Sequence, residues 1–470
     1  MKSKESMTIE EALDAFLADI AVITDAEQVP LLRAAGRILA EDVRAPFSVP
    51  SFPKSAMDGY AVRAAEVAGA SKERPVTLRV VGEWLAGETA SKNELIKTGS
   101  AGNDARAAQQ TAGEISEGAF GGTIGGADGE PAALSGCGNT EEKTDKLPVL
   151  TAVRIMTGAQ VPPLYDAIVK QEDTDYGEKM VRIFSPVKPY QNYCAVGEDI
   201  RKDEVVLSEG TRLGRIEIGV LASLGFAKVP VRRNLKVRII STGSELCDVE
   251  DDTVSVEKEG NELPPGKIYN SIAYMLEAAV MPFGFEADHC ICDDDADSIK
   301  EAVQKAAAEC DIIITTGGVS VGKKDLLPEV LDVLGADIRF QRAKIQPGTP
   351  TIGSVYQGVP VLSLSGNPYA AIANFDLYFW PLAARLTGCD ELIPAVETAV
   401  LDSPYEKVNA SRRLLRACVQ NGKVVFPAKS HASSVLSNLT KCNCYVDLPA
   451  GQQVRPGDRV VVRRMPMSLS

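Results

Sequence analysis

The 470-residue sequence contains little of what several common active sites require. It has only two histidines, which argues against a serine–histidine triad and against a histidine-rich metal site. Any metal should therefore be a hard cation on oxygen ligands. Ten cysteines are present. Four of them form two C-x-C pairs in strand-like segments, and the ten contain no CxxC…CxxC set. We interpret them as reduced structural thiols.

Long apolar runs and basic segments are also missing. No run reaches the length of a transmembrane helix, and the first 20 residues lack the apolar core of a signal peptide. We therefore expect a cytoplasmic protein with no membrane partner. Lys and Arg number 50 against 64 Asp and Glu, for a net charge of −14. Because no basic arm offsets this charge, we expect no nucleic-acid partner, although a local turn could still bind a small anion.

Glycine and hydroxyl residues follow three predicted strands. In two segments, DIIITTGGVSVGKKD (311–325) and VRIISTGSEL (237–246), a predicted strand runs into a turn rich in glycine and hydroxyl residues. In a third, VPVLSLSGNPYAAIANF (359–375), a strand runs into a similar turn and then into a helix. A single turn of this kind is as consistent with an ordinary strand-to-helix connection as with a binding site. Three together predict a site for a phosphate-bearing ligand, because turns and helix N-termini at the carboxyl edge of parallel strands bind anions.

The order of predicted elements indicates an α/β fold class in a chain of three or four domains. Residues 395–470 change to short alternating segments with glycine and proline turns, which predict a small β-barrel or sandwich. Between residues 237 and 386 strands and helices alternate. The strands are predicted at 237–241, 285–291, 311–316 and 359–364, and the helices at 271–280, 297–308, 325–334 and 369–385.

Before residue 237 the pattern is less regular. Thr8 and Glu11 form a capping box for a helix from Ile9 to about Ile20, and a second helix is predicted at 212–226. Alternation predicts strands at 153–156 and 167–170. Residues 91–146 are rich in Gly, Ala, Ser and Glu and poor in large apolar residues. We expect them to be a disordered insertion at the tip of a small β domain.

With these residues in view, the chain resembles the molybdopterin molybdotransferase family, which includes MoeA and the gephyrin E domain. The resemblance covers nearly all of the chain except 91–146, and the shared order and spacing of its motifs make it specific. The motifs are SAMDGYAV (55–62), AVRIMTGA (152–159), QEDT (171–174), GEDI (197–200), STGSEL (241–246), KIYNS (267–271), TTGGVSVG (315–322), IQPGTP (345–350), SGNP (365–368) and SRRLLRA (411–417).

The resemblance implies an elongated homodimer of four-domain protomers. A discontinuous N-terminal domain would comprise 1–46 and 150–224, and a β lid would comprise 47–149 with its insertion. A MogA-like doubly wound α/β domain that binds molybdopterin would follow at 225–392, with a C-terminal β-barrel domain at 393–470. The site would lie between the last two domains of one protomer and the lid of the other.

The resemblance also implies the chemistry: molybdate is inserted into adenylylated molybdopterin and AMP is released, with Mg²⁺ assisting. An anion cradle beside acids that hold a divalent cation suits cleavage of a pyrophosphate. The resemblance assigns catalytic roles to Asp58, Thr157, Glu198 and Asp325, and metal binding to Asp325 and, less directly, Asp294. It assigns substrate binding to Ser241, Thr242, Gly243, Ser244, Glu245, Asn270, Gly317, Gly318, Ser320, Lys344, Pro347, Gly348, Pro350, Gly366, Asn367, Pro368, Arg412, Arg413, Ser430 and Ser434.

Several positions depart from the family pattern, and they cluster at the expected site. Ser244 and Asn270 stand where the family usually has acids. Gln346 and Thr349 replace two lysines expected near molybdate, and Ala370 replaces a serine. Losing two positive charges should weaken oxyanion stabilisation by several kcal/mol, on the order of the charge-pair energies in such sites, unless neighbours substitute. The candidate neighbours are Arg342, Lys344, and Arg412 or Arg413.

Three hypotheses about function follow from the sequence. The first is an active molybdotransferase, with altered molybdate affinity or a preference for tungstate. The second is a binding or scaffold protein that keeps the pterin cradle and has lost the insertion chemistry, as the substitutions suggest. The third is a molybdopterin adenylyltransferase, because the α/β unit and its Gly-Gly turn also resemble the domain with that activity. Retention of the lid and the C-terminal domain argues against the third.

Overall fold

The computed structural model of the chain describes residues 6–87, 150–251, 263–319, 326–427 and 431–466. The chain divides into two compact units, Arg44–Glu204 and the combination of Met1–Val43 with Val205–Ser470. The predicted insertion at 91–146 lies outside the described residues, as do Ser320, Asp325 and Ser430.

The helices and strands are numbered in chain order. The α-helices are α1 (Ile9–Leu17), α2 (Ala64–Val67), α3 (Arg215–Ser223), α4 (Ser271–Val280), α5 (Ala296–Glu309), α6 (Leu327–Val333) and α7 (Pro368–Thr387). Short 3-10 helices span Leu31–Ala34, Gln171–Asp173, Met281–Phe283, Asp390–Leu392 and Leu439–Lys441. The strands are β1 (Ala26–Pro30), β2 (Val43–Arg44), β3 (Lys54–Ser55), β4 (Gly59–Val62), β5 (Val76–Trp84), β6 (Thr151–Ile155), β7 (Ala167–Lys170), β8 (Met180–Ile183), β9 (Tyr193–Cys194), β10 (Val205–Leu207), β11 (Lys228–Arg232), β12 (Lys236–Thr242), β13 (Leu246–Cys247), β14 (Ile268–Tyr269), β15 (Glu286–Cys292), β16 (Ile312–Thr316), β17 (Asp337–Phe340), β18 (Ile345–Gln346), β19 (Ile352–Tyr356), β20 (Val359–Leu364), β21 (Val396–Leu401), β22 (Arg412–Gln420), β23 (Lys423–Val425), β24 (Cys444–Leu448) and β25 (Arg459–Arg464).

The unit Arg44–Glu204 is built on a five-stranded sheet in the order β7-β4-β6-β5-β8. Strand β4 pairs antiparallel with β6 and β7, and β5 pairs parallel with β6. Its apolar core packs Leu78, Val169 and Val181 on one face of the sheet. Strands β6 to β8 therefore share a sheet with β4 and β5, whereas the resemblance implies that residues 150–224 form one domain with 1–46. The finer four-domain division stays a prediction.

The α/β region of the other unit contains a six-stranded sheet in the order β15-β12-β16-β20-β19-β17. The first four strands are parallel, as predicted, and β19 and β17 extend the sheet as antiparallel strands that the sequence analysis did not predict. Helices α4 and α7 cover one face of this sheet, and α5 and α6 cover the other. The predicted alternation of strands and helices is confirmed.

Helix α7 is buried along nearly its whole length, in agreement with its sequence, which is apolar on every face. It carries Trp380 and Phe379 into the largest apolar cluster, where they pack against each other edge to face. The helix begins at the carboxyl edge of β20. Because most of its 20 residues are buried, the helix holds its own N-terminus in place, and that N-terminus borders the site described below.

The C-terminal strands close into a five-stranded barrel in the order β22-β23-β21-β25-β24, with β24 pairing back to β22. The predicted C-terminal β-barrel is confirmed. Strand β18 pairs parallel with β22, which attaches the proline turn after β18 to the barrel.

The N-terminal helix α1 begins at the predicted capping box. Thr8 Oγ1 accepts from Glu11 N at 3.2 Å, and Glu11 Oε2 accepts from Thr8 N at 2.8 Å. The helix ends at Leu17, three residues before the predicted end. Within the described parts of the chain, no helix is both long enough and apolar enough to cross a bilayer.

Candidate phosphate-binding cavity

A cavity of about 420 Å³ lies at the carboxyl edge of strands β12, β16 and β20. The three turns singled out in the sequence all contribute to its wall, together with the ends of β13 and β14. The lining residues are Thr242, Gly243, Glu245, Leu246, Ile268, Tyr269, Asn270, Ser271, Ile272, Asp294, Thr316, Gly317, Gly318, Val319, Ser365, Gly366, Asn367 and Pro368. This edge is where open α/β sheets bind ligands.

The glycine turn after β16 is shaped by close backbone contact. Gly317 has a φ of +92°, and a Cβ atom there would lie 2.6 Å from the carbonyl oxygen of Thr242. Gly318 follows with a φ of +62°. Only glycine fits such a contact without moving backbone. The turn can therefore bring its main chain directly against β12 and leave the cavity open.

Two helices begin at the cavity, α4 after Asn270 and α7 after Asn367. Neither N-cap side chain hydrogen-bonds to the first turn of its helix. The N–H groups of a helix's first turn have no partners within the helix, and they carry the positive end of the helix dipole. The N-terminus of α4 is the stronger anion site of the two, because in α7 Pro368 has no N–H and Tyr369 N already donates to the Ser433 carbonyl at 3.0 Å.

A buried polar network supports one of these helix starts. Thr316 Oγ1 donates to Ser241 Oγ at 3.0 Å, and Ser241 Oγ donates to Asn270 Oδ1 at 3.2 Å. Asn270 is 2% exposed, and its Nδ2 has no hydrogen-bond partner among the described residues. A buried amide nitrogen without a partner is costly. Because Asn270 lines the cavity, a bound ligand is the natural acceptor for it.

Two carboxylates, Glu245 and Asp294, border the cavity. Asp294 Oδ2 accepts from Ser244 N at 3.1 Å, and Lys267 Nζ donates to the Ser244 carbonyl at 2.5 Å. Oxygen donors of this kind suit Mg²⁺, which usually takes one or two carboxylates and completes its shell with phosphate and water. Within the described residues, no cluster of three or more His, Cys, Asp or Glu side chains could hold a metal alone.

The proline turn at 345–350 packs on helix α7 and does not line the cavity. Asn374 Nδ2 donates to the Pro347 carbonyl at 3.0 Å and to the Ala370 carbonyl at 2.8 Å. A Cβ atom at Gly348, whose φ is +87°, would overlap the Asn374 amide. The turn is therefore locked against the first two turns of α7. Lys344, just before it, is exposed and makes no salt bridge within the described residues.

The arginines of β22 are engaged in other contacts. Arg412 binds both carboxylate oxygens of Asp447, at 2.6 and 2.7 Å, and also Glu10. Burial alone would raise the pKa of Asp447, but hydrogen bonds from Arg412 and Arg463 outweigh it and lower that pKa. Arg413 Nη1 donates to Asn409 Oδ1 at 3.1 Å. Arg412 is thus committed to an ion pair and is a poor substitute for a missing lysine.

In the unit Arg44–Glu204, Asp58 and Thr157 form a contact pair. Asp58 Oδ1 accepts from both Thr157 N and Thr157 Oγ1, each at 2.8 Å. These hydrogen bonds lower the pKa of Asp58, and its side chain is exposed. Glu198 Oε2 instead accepts from Ala195 N at 2.9 Å. The structure therefore joins Asp58 to Thr157 and gives Glu198, the third predicted catalytic residue in this unit, a separate turn contact.

Ten predicted site residues line the cavity: Thr242, Gly243, Glu245, Asn270, Asp294, Gly317, Gly318, Gly366, Asn367 and Pro368. Ser241 lies buried behind the wall, and Ser244 lies beside it. The remaining described positions that were assigned to substrate binding do not line it: Lys344, Pro347, Gly348, Pro350, Arg412, Arg413 and Ser434. Eight lining residues were not predicted: Leu246, Ile268, Tyr269, Ser271, Ile272, Thr316, Val319 and Ser365. Ser271 is the first residue of the helix predicted at 271–280, which is a usable signal, whereas the two-residue strand β14 has no periodicity to detect.

Family profiles match three stretches of the chain. "MoeA N-terminal region (domain I and II)" matches residues 7–120 and 121–225, and "Probable molybdopterin binding domain" matches 238–385. "MoeA C-terminal region (domain IV)" matches 398–463. All residues that line the cavity lie within 238–385, the range of the molybdopterin binding domain profile.

Individual relatives match over most of the chain. A molybdopterin molybdenumtransferase of Staphylococcus epidermidis is 33% identical over 420 residues, which is 88% of this chain and 85% of the relative. A molybdopterin molybdenumtransferase of Staphylococcus aureus is 32% identical over 429 residues, which is 90% of this chain and 87% of the relative. The crystal structure of the molybdopterin biosynthesis moeA protein from Pyrococcus horikoshii OT3 superposes with a TM-score of 0.74 at 28% identity, covering 98% of this chain and all of that one.

Proposed function

Because the chain belongs to the MoeA family of molybdopterin molybdenumtransferases, we propose that it inserts molybdenum into molybdopterin during molybdenum cofactor biosynthesis. The substrates we propose are adenylylated molybdopterin and molybdate, and the by-product is AMP. The observation that carries the proposal is the cavity at one sheet edge, where the uncapped N-terminus of α4, the start of α7 and a glycine turn meet.

The cavity residues would bind and orient the phosphates of the substrate. The N-termini of α4 and α7 would stabilise the negative charge, and the Asn270 amide would donate to a phosphate oxygen. The close approach of Gly317 to β12 leaves space for the ligand. Holding the pyrophosphate of adenylylated molybdopterin this way would place its bridging oxygen for cleavage between the molybdopterin and AMP phosphates.

We propose Mg²⁺ as the cofactor, held by Asp294 and Glu245 together with substrate phosphate. Asp325, which the sequence also suggested, lies outside the described residues. When bound, the ion would neutralise phosphate charge during pyrophosphate cleavage. The main-chain N–H of Ser244 orients Asp294 toward this role, since it hydrogen-bonds one carboxylate oxygen and leaves the other available.

The remaining elements of the proposal rest on the family. Asp58 and Thr157 would act from the lid, and a homodimer would supply that lid to the cavity of its partner. The pair is suited to such a role because Thr157 keeps the exposed Asp58 carboxylate ionised and oriented. We also propose a cytoplasmic location.

The test is AMP release from adenylylated molybdopterin by the purified full chain with Mg²⁺, across a titration of molybdate and tungstate. Saturable release that depends on the oxyanion is the expected result. Release that ignores both the oxyanion and Mg²⁺ would contradict the proposal.

A second candidate is a protein that binds molybdopterin without inserting the metal. Arg412, one of the side chains that could replace the missing lysines, is already paired with Asp447 and Glu10. Among the described residues, Arg413, which pairs in register with Gln346, and the exposed Lys344 make no salt bridge and remain as candidates. Tight molybdopterin binding without AMP release would favour this candidate.

A further inference from the structure

His289 lies outside the cavity and joins two elements that form its wall. Its ring contacts a carboxylate at each nitrogen: Nδ1 is 2.6 Å from Glu277 Oε1, and Nε2 is 2.9 Å from Asp248 Oδ2. Carboxylates only accept hydrogen bonds, so both contacts are favourable only when both ring nitrogens carry protons. The geometry therefore selects the charged imidazolium.

The two carboxylates belong to two different elements of the cavity wall. Asp248 directly follows β13, whose Leu246 lines the cavity, and Glu277 lies on α4, whose first residues line it as well. Between them, Ile268 N donates to the Glu245 carbonyl at 2.8 Å and Asn270 N donates to the Cys247 carbonyl at 2.9 Å. His289 thus links the end of β13 to helix α4 by hydrogen bonds to Asp248 and Glu277.

Within the part of the chain that the structure describes, the groups in contact with His289 are two carboxylates and a tyrosine ring. Helix α4 presents Tyr274, whose ring centroid lies 4.8 Å away and whose hydroxyl donates to Asp248 Oδ1 at 2.5 Å, together with Glu277. The turn after β13 presents Asp248, and Glu250 lies near Tyr274. Strand β12 places the apolar Ile239 beside His289 in register.

The charged state is consistent with the electrostatics of this cluster. Burial alone would lower the pKa of His289, but the hydrogen bonds to Glu277 and Asp248 outweigh it and raise that pKa above the ordinary 6.5. The same contacts, with Tyr274 and Glu250 N, overcome burial and lower the pKa of Asp248. The two hydrogen bonds of His289 to Glu277 and Asp248 therefore persist at low pH and are lost as pH rises through the His289 pKa.

We propose that His289 is a positioning residue that holds the β13 turn on helix α4, and that its deprotonation loosens the cavity and weakens molybdopterin binding. The inference rests on the proposed function, because it takes molybdopterin as the cavity's ligand. It adds a proton-dependent control of affinity through a residue that does not touch the ligand.

The test measures the Kd of the full chain for molybdopterin, by the fluorescence of the pterin, from about pH 5.5 to 8.5. Wild-type Kd should rise about fivefold across the His289 titration, the change expected for loss of one part-buried ion pair. His289→Gln should bind weakly at every pH. Glu277→Gln removes one carboxylate, so it should move the midpoint of the Kd profile to lower pH, an effect that a merely structural role would not produce.

Tyr274→Phe is the matched control. It removes a hydrogen bond to the same Asp248 without changing any charge at neutral pH, so it should raise Kd equally at all pH values and keep the pH dependence. Binding with the same pH profile in wild type and His289→Gln would overturn the inference and leave the proposed function standing. Absence of molybdopterin binding at every pH would overturn both.

Discussion

Asn270 accepts a hydrogen bond from Ser241 through its Oδ1 at 3.2 Å, while its Nδ2, buried at the cavity, has no partner among the described residues. The two atoms of one amide thus serve different purposes. Oδ1 is part of the support behind the wall, and Nδ2 is available to a ligand.

Substitutions at Asn270 should separate these purposes. Asn270→Ala removes both, so we expect a loss of about 1–2 kcal/mol in the free energy of unfolding, measured in urea, together with a higher KM for adenylylated molybdopterin. Asn270→Asp keeps the acceptor for Ser241 and removes the donor. The buried carboxylate of this variant costs stability at neutral pH, and KM should rise because the donor is lost and a negative charge faces the phosphate. Equal KM in wild type and Asn270→Asp would show that Nδ2 does not bind the ligand.

The glycine turn predicts a steric effect that can be separated from backbone strain. Gly317→Ala combines an unfavourable φ of +92° with a Cβ atom 2.6 Å from Thr242 O. Gly335→Ala is the control, because its φ is +74° and no atom lies within 4 Å. We expect Gly335→Ala to lose only about 1 kcal/mol of stability. Gly317→Ala should lose more and should also lose AMP release, and similar behaviour of the two variants would contradict the turn's role.

The pair Asp58 and Thr157 predicts a charge requirement in the lid. Asp58→Asn keeps Oδ1 as an acceptor for Thr157 and removes the negative charge, so we expect normal thermal unfolding and a lower kcat for AMP release. Thr157→Val removes one of the two hydrogen bonds at 2.8 Å, and Thr157→Ser retains it. Activity should fall in the valine variant and return in the serine variant. Wild-type kcat in Asp58→Asn would remove Asp58 from the proposed chemistry.

Gln346 offers a gain-of-function test of the substituted oxyanion site. Its side chain is exposed, so Gln346→Lys can be introduced without disturbing the packing of the turn on Asn374. Restoring one positive charge should lower the KM for molybdate by about fivefold, with the effect decreasing as salt is added. Gln453→Lys, which makes the same charge change at another exposed position, is the control. An equal effect of both variants would indicate general charge rather than a local site.

The sequence predicted what depends on local patterns. The strand and helix periodicities located the central sheet, and the glycine turns located the carboxyl edge that the cavity occupies. Contacts between distant segments left no such pattern. The network of Thr316, Ser241 and Asn270 joins three elements that only the parallel sheet brings together. The pairing of β4 with β6 likewise crosses residues 88–149, so periodicity could not show that 151–183 belongs with 59–84.

Asp376 provides a test of stability against pH. It is buried in α7 and accepts from Tyr445 OH at 2.7 Å and from Trp380 Nε1 at 3.1 Å. Burial raises its pKa to about 7 despite these hydrogen bonds, so the carboxyl group is neutral in the folded protein at mildly acidic pH. In the unfolded chain it ionises near its ordinary value of 3.8.

Between these two values the folded state binds a proton that the unfolded state has released, so rising pH favours unfolding. The contribution of Asp376 to stability is therefore complete below about pH 4 and declines until about pH 7, by up to about 4 kcal/mol. Asp376→Asn cannot ionise and should lose this dependence. The difference in free energy of unfolding between variant and wild type, measured in urea at several pH values, should shift in favour of the variant as pH rises to 7. A constant difference would mean that Asp376 is already ionised in the folded protein.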